Sequence, residues 1–211
     1  MRLAIVANET MKEELLSSGK TDDLTIDWVS SAGALISYPD SDAFIDLLYE
    51  QNGYNNDVLK KLLPKAVIVN SIVKTIDETG HPFIRINGWP SFLKRKTVEA
   101  SCKQETDKTI AEKIFASLNR KVEWVPDVPG FISARVVSMI INEAYFAFSE
   151  KVSSKEEIDT AMKLGTNYPY GPFEWATAIG LKNINSLLTQ LSNAEKRYQP
   201  SILLTKEALE S

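Results

Sequence analysis

Cysteine and histidine are almost missing from this chain. Its 211 residues contain one of each, Cys102 and His81. A single cysteine excludes an intramolecular disulfide framework and fits a reducing compartment, so a cytoplasmic protein is expected. A single histidine argues against a His-based metal site and against a Ser-His-Asp triad, and no metal is expected. Glycine is also sparse. There are nine, and the first is Gly19. Positive charge is not in excess either: 24 Lys and Arg against 28 Asp and Glu give a net charge of −4. Up to Asp127 there are 16 basic and 19 acidic residues, and beyond it 8 and 9. Neither half is basic, which argues against a nucleic-acid partner. No run approaches the ~20 apolar residues of a spanning helix. The first apolar run is short and meets Glu9, Lys12, Glu13 and Glu14, which excludes a signal segment and leaves no expected membrane partner. What remains is ordinary globular composition, 44% hydrophobic and 25% charged, with length enough for one large domain or two small ones.

Hydrophobic patterning divides the chain. Short β-branched runs at residues 3–7, 24–30, 43–49, 65–70, 82–86 and 121–125 predict strands. Helical stretches at 9–18, 56–63 and 106–118 lie between them, so a parallel α/β sheet is expected. After about residue 126 the strand signal ends. Pro129 and Gly130 open a long helix to about residue 151. Ser154 to Glu157 form a capping box for the next helix, with Gly165 as its stop. Further helices follow from Gly171, Lys182 and Ser201. The expected domains are 1–126, α/β, and 127–211, all-α. On the long helix Arg135, Ser138, Asn142 and Ser149 make one polar stripe, and nearly everything else is apolar. Such a helix is either the centre of a small bundle or a subunit interface.

Several motifs of the second half resemble the C-terminal domain of the 3-hydroxyacyl-CoA dehydrogenases. They are DVPGFISAR from Asp127 to Arg135, NEA from Asn142 to Ala144, and EIDTAMKLG from Glu157 to Gly165. PYGPFE from Pro169 to Glu174, IGL from Ile179 to Leu181 and YQPSILL from Tyr198 to Leu204 follow in the same order. The resemblance runs on through the first half, in the opening strand and turn from Ala4 to Lys12, in DAFIDLLYE from Asp42 to Glu50, and in the segment from Phe83 to Glu99. It implies a reduced Rossmann-like domain followed by a helical domain. It also implies an inherited reaction, NAD-dependent oxidation of a 3-hydroxyacyl-CoA to a 3-ketoacyl-CoA in fatty-acid metabolism, and a homodimer joined by the helical domain. NAD is the implied cofactor, and an acyl-CoA or other small anionic ligand the implied partner. The first half is short, with little room after the second strand for the helical insertion that the family uses to hold CoA.

The resemblance carries the family's site positions onto this chain. Cofactor-binding positions fall on Ala7, Thr10, Met11 and Glu50. Catalytic positions fall on Glu99, which matches the family's glutamate, and on Asn87, which stands where the family has its histidine. The three glycine positions of the phosphate loop hold Ala7, Glu9 and Lys12. A pyrophosphate needs close backbone approach, and Glu9 puts a side chain and a like charge there. An Asn amide hydrogen-bonds a hydroxyl or carbonyl but takes no proton near neutral pH. General-base help is worth roughly 10²–10⁴ in rate. The family's asparagines correspond to Pro90 and Ala134, and its serine to Asn70 or Ser71. Catalysis is therefore expected to be impaired. The alternative reading is a non-catalytic dimeric binding or scaffold protein derived from the family. Lys94, Arg95 and Lys96 form one cationic run, either a solvated face or an anion site. Glu99 is expected to pair with Lys96 or Arg95, and His81 reads as a loop residue.

Overall fold

The computed structural model describes residues 1–18 and 24–211. The chain divides into two compact units, Met1–Phe131 and Ile132–Ser211. Residues 127–131, which the motif reading groups with the helices, pack with the first unit. Phe131 lies under the Arg85 guanidinium, 4.7 Å from ring centroid to cation.

In the first unit seven strands form one sheet in the order β2-β1-β3-β4-β5-β6-β7. They are β1 Arg2–Val6, β2 Thr25–Val29, β3 Ala43–Asp46, β4 Ala66–Asn70, β5 Ile84–Ile86, β6 Thr97–Ser101 and β7 Lys121–Trp124. Strands β3, β4 and β5 are buried along their whole length, as continuous Ile/Val/Phe runs require when both faces are covered. Alternate residues serve the two faces. Leu3, Ile5, Ile45, Ile68, Ile84 and Ile86 share one core with residues of helices α1 (Glu9–Leu16) and α4 (Glu105–Ser117). Ala4, Val6, Phe44, Val67 and Val69 share the other with Leu35, in a 3-10 turn (Ala32–Ser37), and Leu59, in the short helix α2 (Asn56–Leu59). A doubly wound sheet of the Rossmann type has strand order 3-2-1-4-5-6. Without its outermost strand that order matches the first five strands here, β2-β1-β3-β4-β5, and β6 and β7 extend the sheet beyond them. Between β2 and β3 the chain makes a 3-10 turn, Ala32–Ser37.

Several sequence expectations are corrected. Residues 97–101 form a strand that patterning does not reveal, because Thr97, Glu99 and Ser101 alternate with only Val98 and Ala100. This β6 runs antiparallel to β5 and parallel to β7, so the sheet is mixed. The third strand ends at Asp46, since the Leu47 amide turns to the Val6 carbonyl. The helix expected over 56–63 is one α-turn followed by a 3-10 turn, Lys60–Leu62. A short capped helix, α3 (Ile76–Thr79), was not foreseen.

The second unit contains α5 Ser133–Ser149, α6 Lys155–Thr166, α7 Pro172–Ile179, α8 Leu181–Ser192 and α9 Ile202–Glu210. Pro129 and Gly130 do not open α5. Gly130 and Phe131 both have positive φ, 84° and 48°, so the chain turns before the helix starts. Gly165 lies inside α6, and Asn167 takes the left-handed capping position instead. The middle of the polar stripe of α5 is turned inward, while Arg135 is half-buried and Ser149 exposed. Ser138 and Asn142 are buried, and Asn142 donates to the Gln199 carbonyl (2.9 Å) and accepts from the Ser201 amide (2.8 Å). Ile132 and Val136 face outward, 57% and 52% exposed. A polar side chain with fixed partners belongs inside; the apolar ones are left at the surface. No described helix is long and apolar enough to cross a membrane.

Candidate active-site crevice

Strand order reverses between β1 and β3, and in open α/β sheets ligands bind outside the carboxyl ends of strands at that point. The first turn there joins Val6 to α1. Ala7 is buried, and Asn8 caps the helix, its side-chain oxygen accepting the Met11 amide at 2.9 Å. A cofactor pyrophosphate would use free amides at such a helix start. Here one is already taken. Glu9 stands in the first helical turn and pairs with Lys12 at 2.6 Å, while Lys12 lies 5.5 Å from the Trp28 ring centroid. Thr10 is exposed; the Met11 side chain is buried in the sheet core. The end of β2 reads Val29-Ser30-Ser31. The nearest acid, Asp27, which could otherwise take ribose hydroxyls, accepts from Arg2 Nε at 2.7 Å. These residues do not fit a dinucleotide pyrophosphate, because close approach meets side chains and a carboxylate.

At the carboxyl end of β3 stands Asp46, fully buried and paired in register with Val6. One oxygen accepts the Leu48 amide at 3.0 Å, and the other has no partner. Burial pushes its carboxyl up to about 6. Glu50 points at the next loop and accepts from the Val73 amide at 2.6 Å. Burial raises its carboxyl too, against the lowering effect of the Val73 and Ile72 amides.

Two more strand ends are stitched by Asn70. Its amide donates to the carbonyls of Leu47 (3.0 Å) and Gly88 (3.2 Å) and accepts from the Gly88 amide (2.9 Å). A Cβ at Gly88 would lie 2.9 Å from Asn70 Cγ, so glycine is required there. Ser71 Oγ donates to the Lys74 carbonyl. Below them Arg85 is fully buried. It donates to the carbonyls of Ser71 and Ile72 and pairs with Asp127, which also accepts the Ile76 amide. Burial lowers the Arg85 guanidinium, and Asp127 opposes that.

The structure brings together Asn87 and Glu99, the two residues at the catalytic positions that the resemblance implies, and the Glu99 side chain bonds to Asn87. Beyond the end of β5 the Asn87 amide donates to the Glu99 carbonyl at 3.0 Å, so the two residues sit opposite one another across the antiparallel ladder. Their side chains meet as well, Asn87 Nδ2 donating to Glu99 Oε2 at 2.9 Å. Asn87 is 3% exposed, and its Oδ1 has no partner. That oxygen can accept a hydroxyl's hydrogen bond; it cannot carry the proton away. Pro90 lies in the following turn, and Ala134 is buried in α5 of the other unit. Among the described residues no cluster of His, Cys, Asp and Glu could hold a metal ion.

Residues 130–210 match the family model of the 3-hydroxyacyl-CoA dehydrogenase C-terminal domain. A 3-hydroxybutyryl-CoA dehydrogenase of Bradyrhizobium diazoefficiens is 30% identical over 217 residues, covering 95% of this chain and 73% of that protein. The chain belongs to the 3-hydroxyacyl-CoA dehydrogenase family. A 3-hydroxyadipyl-CoA dehydrogenase of Escherichia coli is 47% identical over 92 residues, but that match spans 43% of this chain and 19% of the enzyme. The fold is also that of an (S)-3-hydroxybutyryl-CoA dehydrogenase from Ralstonia eutropha, with a TM-score of 0.76 at 21% identity over 99% of this chain and 93% of that one.

Sequence reasoning missed Asp46, Asn70 as a stitch, and the Arg85–Asp127 pair. A charged residue inside an otherwise apolar run, IDLL at Asp46 and FIRI at Arg85, is the signal that could have found two of them.

Proposed function

We propose that this member of the 3-hydroxyacyl-CoA dehydrogenase family binds a 3-hydroxyacyl- or 3-ketoacyl-CoA in the β-sheet crevice and does not interconvert the two with NAD and NADH at an enzyme's rate. The observation that carries this reading is Asn87. It occupies the family's base position, tied to Glu99, and presents an acceptor oxygen in place of a proton carrier. The capped turn at Asn8, Glu9 and Lys12 supports the cofactor half of the reading. Asn87 and Glu99 would hold a ligand hydroxyl in place, with no group at Asn87 able to remove its proton.

Two titrations and one assay test it. Acetoacetyl-CoA is expected to bind, NADH is expected to bind weaker than millimolar, and acetoacetyl-CoA-dependent NADH consumption is expected to be undetectable. A micromolar dissociation constant for NADH, with turnover, overturns the reading. The expected homodimer belongs to the same proposal. It is supported by the outward stripe Ile132, Val136, Ile140 and Ala147, which lie on one face of α5 at helical spacing beside a groove of about 250 Å³ shared with Ile158 and Met162 of α6.

A further inference from the structure

The cationic run at residues 94–96 does not behave as a uniform solvated face. Lys94 and Lys96 are exposed, and Arg95 is half-buried. Its guanidinium lies 3.9 Å from the centroid of the Phe92 ring, and Phe92 is itself buried. This stacking fixes the plane of the fork before any ligand arrives. Yet the side chain makes no hydrogen bond and no ion pair among the described residues. The contrast with the buried arginines of this unit is sharp. Arg85 spends its donors on two carbonyls and Asp127. Arg120 spends its donors on the carbonyls of Leu93, Leu118 and Glu14 and on Ser18. The half-buried Arg95 guanidinium, held by stacking alone, keeps its donors available to an incoming group, and the group that matches their geometry is a carboxylate or phosphate.

Its place matters as much. Arg95 lies two residues before β6, whose Glu99 attracts it through space while bonding to Asn87. Glu99 therefore has a buried, unfilled acceptor on one side and an unfilled cationic donor on the other. We propose that Arg95 is a ligand-binding residue of the crevice and receives an anionic oxygen group of the ligand, a carboxylate on the acyl chain or a phosphate of CoA. The identity of that ligand as a CoA thioester rests on the function proposed above; the anion site itself does not. Stacking on Phe92 gives the site direction, and the exposed Lys94 and Lys96 add attraction at longer range.

The test uses the full chain, wild type and Arg95→Gln, with Arg95→Lys as the charge-retaining control. Coenzyme A, butyryl-CoA and succinyl-CoA are titrated by calorimetry. Butyryl and succinyl chains differ by a methyl against a carboxylate at the far end. If the acyl carboxylate is the anion, succinyl-CoA binds better than butyryl-CoA, and Arg95→Gln removes that preference, about tenfold or more, while butyryl-CoA is unchanged. If a CoA phosphate is the anion, Arg95→Gln weakens all three by a similar factor. In either case Arg95→Lys recovers part of the loss. A second readout is the Arg95 Nε–H resonance, assigned by its disappearance in Arg95→Gln and followed with succinate and with inorganic phosphate. Thioesters that fail to bind, with a saturable shift of that resonance, overturn the thioester reading and leave the anion site standing. Dissociation constants within twofold of wild type in Arg95→Gln overturn the anion site. So does a resonance that no anion moves when no thioester binds.

Discussion

At the scale of single residues the crevice is a set of side chains with separate physical consequences. Asp46 is the sharpest. Its carboxyl stands at about 6 in the folded chain against an ordinary 3.8, because burial disfavours the charged form. The folded state therefore holds this proton more tightly than the unfolded state does. The stabilising contribution is complete below about pH 3.8 and is lost as pH rises through 6. Above that, an ionised and half-satisfied carboxylate remains inside the sheet, at a cost of up to about 3 kcal/mol. Asp46→Asn keeps an acceptor for the Leu48 amide and removes the charge. It is expected to raise stability by about 1–2 kcal/mol at pH 8 and by little at pH 4, as read from urea unfolding at the two pH values.

Asn87 gives the second prediction at this scale. Asn87→His places a base beside Glu99 but leaves the capped turn at Asn8, the side chains of Glu9 and Lys12, and Pro90. Groups that act as a unit do not return function one at a time. Turnover of acetoacetyl-CoA with NADH by this variant should stay far below the ~10 s⁻¹ of a typical enzyme. Rates near that value would mean that the loop substitutions matter less than the base.

At the scale of elements, α6 and α7 are joined by one cap. Asp159 on α6 accepts the amides of Phe173 (2.8 Å) and Glu174 (3.1 Å) at the start of α7. Glu174 in turn accepts the Gly171 amide at 2.9 Å and pairs with Lys163. A Cβ at Gly171 would fall well inside contact distance of the Asp159 carboxyl, which is buried and has nowhere to retreat. The PYGPFE motif is thus explained by geometry: glycine admits the cap, and proline at the first helical position gives up an amide that no acceptor needs. Gly171→Ala should cost about 2–4 kcal/mol, the sum of a lost cap and local strain. Asp159→Ala should cost about 1–2 kcal/mol. In the double variant the two should not add, because both remove the same cap. Chemical denaturation of the three variants checks this, and full additivity would argue against a shared cause.

At the scale of the whole molecule, the exposed stripe on α5 asks for a cover. Ile132 and Val136 are more than half exposed, and Ile140 lines an apolar groove. A self-complementary two-fold contact is the simplest closed solution for such a face. Val136→Glu places a charge on the stripe at a position that is 52% exposed. It should turn a dimer at micromolar concentration into a folded monomer, measured by light scattering with circular dichroism as the control for folding. A wild-type chain that is already monomeric at that concentration would make the stripe an ordinary exposed face.

The amino-acid sequence determined the class of the fold through local rules. Continuous β-branched runs at β1, β3 and β4 need burial on two faces, and the capping box at Ser154 and the helical periodicity beyond it need no distant partner to be read. It also put Asn87 and Glu99 at two family positions, through motifs and their spacing, while the hydrogen bond between their side chains came from the structure. Tertiary structure decided the rest, because the deciding partners lie far apart in the chain. Strand β6 exists only because β5 and β7 flank it; its own pattern is too polar to announce it. The outward face of α5 was settled by Asn142 finding the Gln199 carbonyl and the Ser201 amide, contacts across more than fifty residues. The Arg85–Asp127 pair spans 42 residues, and the upward shift of Asp46 follows from how completely its neighbours exclude water. Arg95 looks like its neighbours Lys94 and Lys96 in the sequence; only packing against Phe92 separates the one stacked, unfilled guanidinium from two exposed lysines.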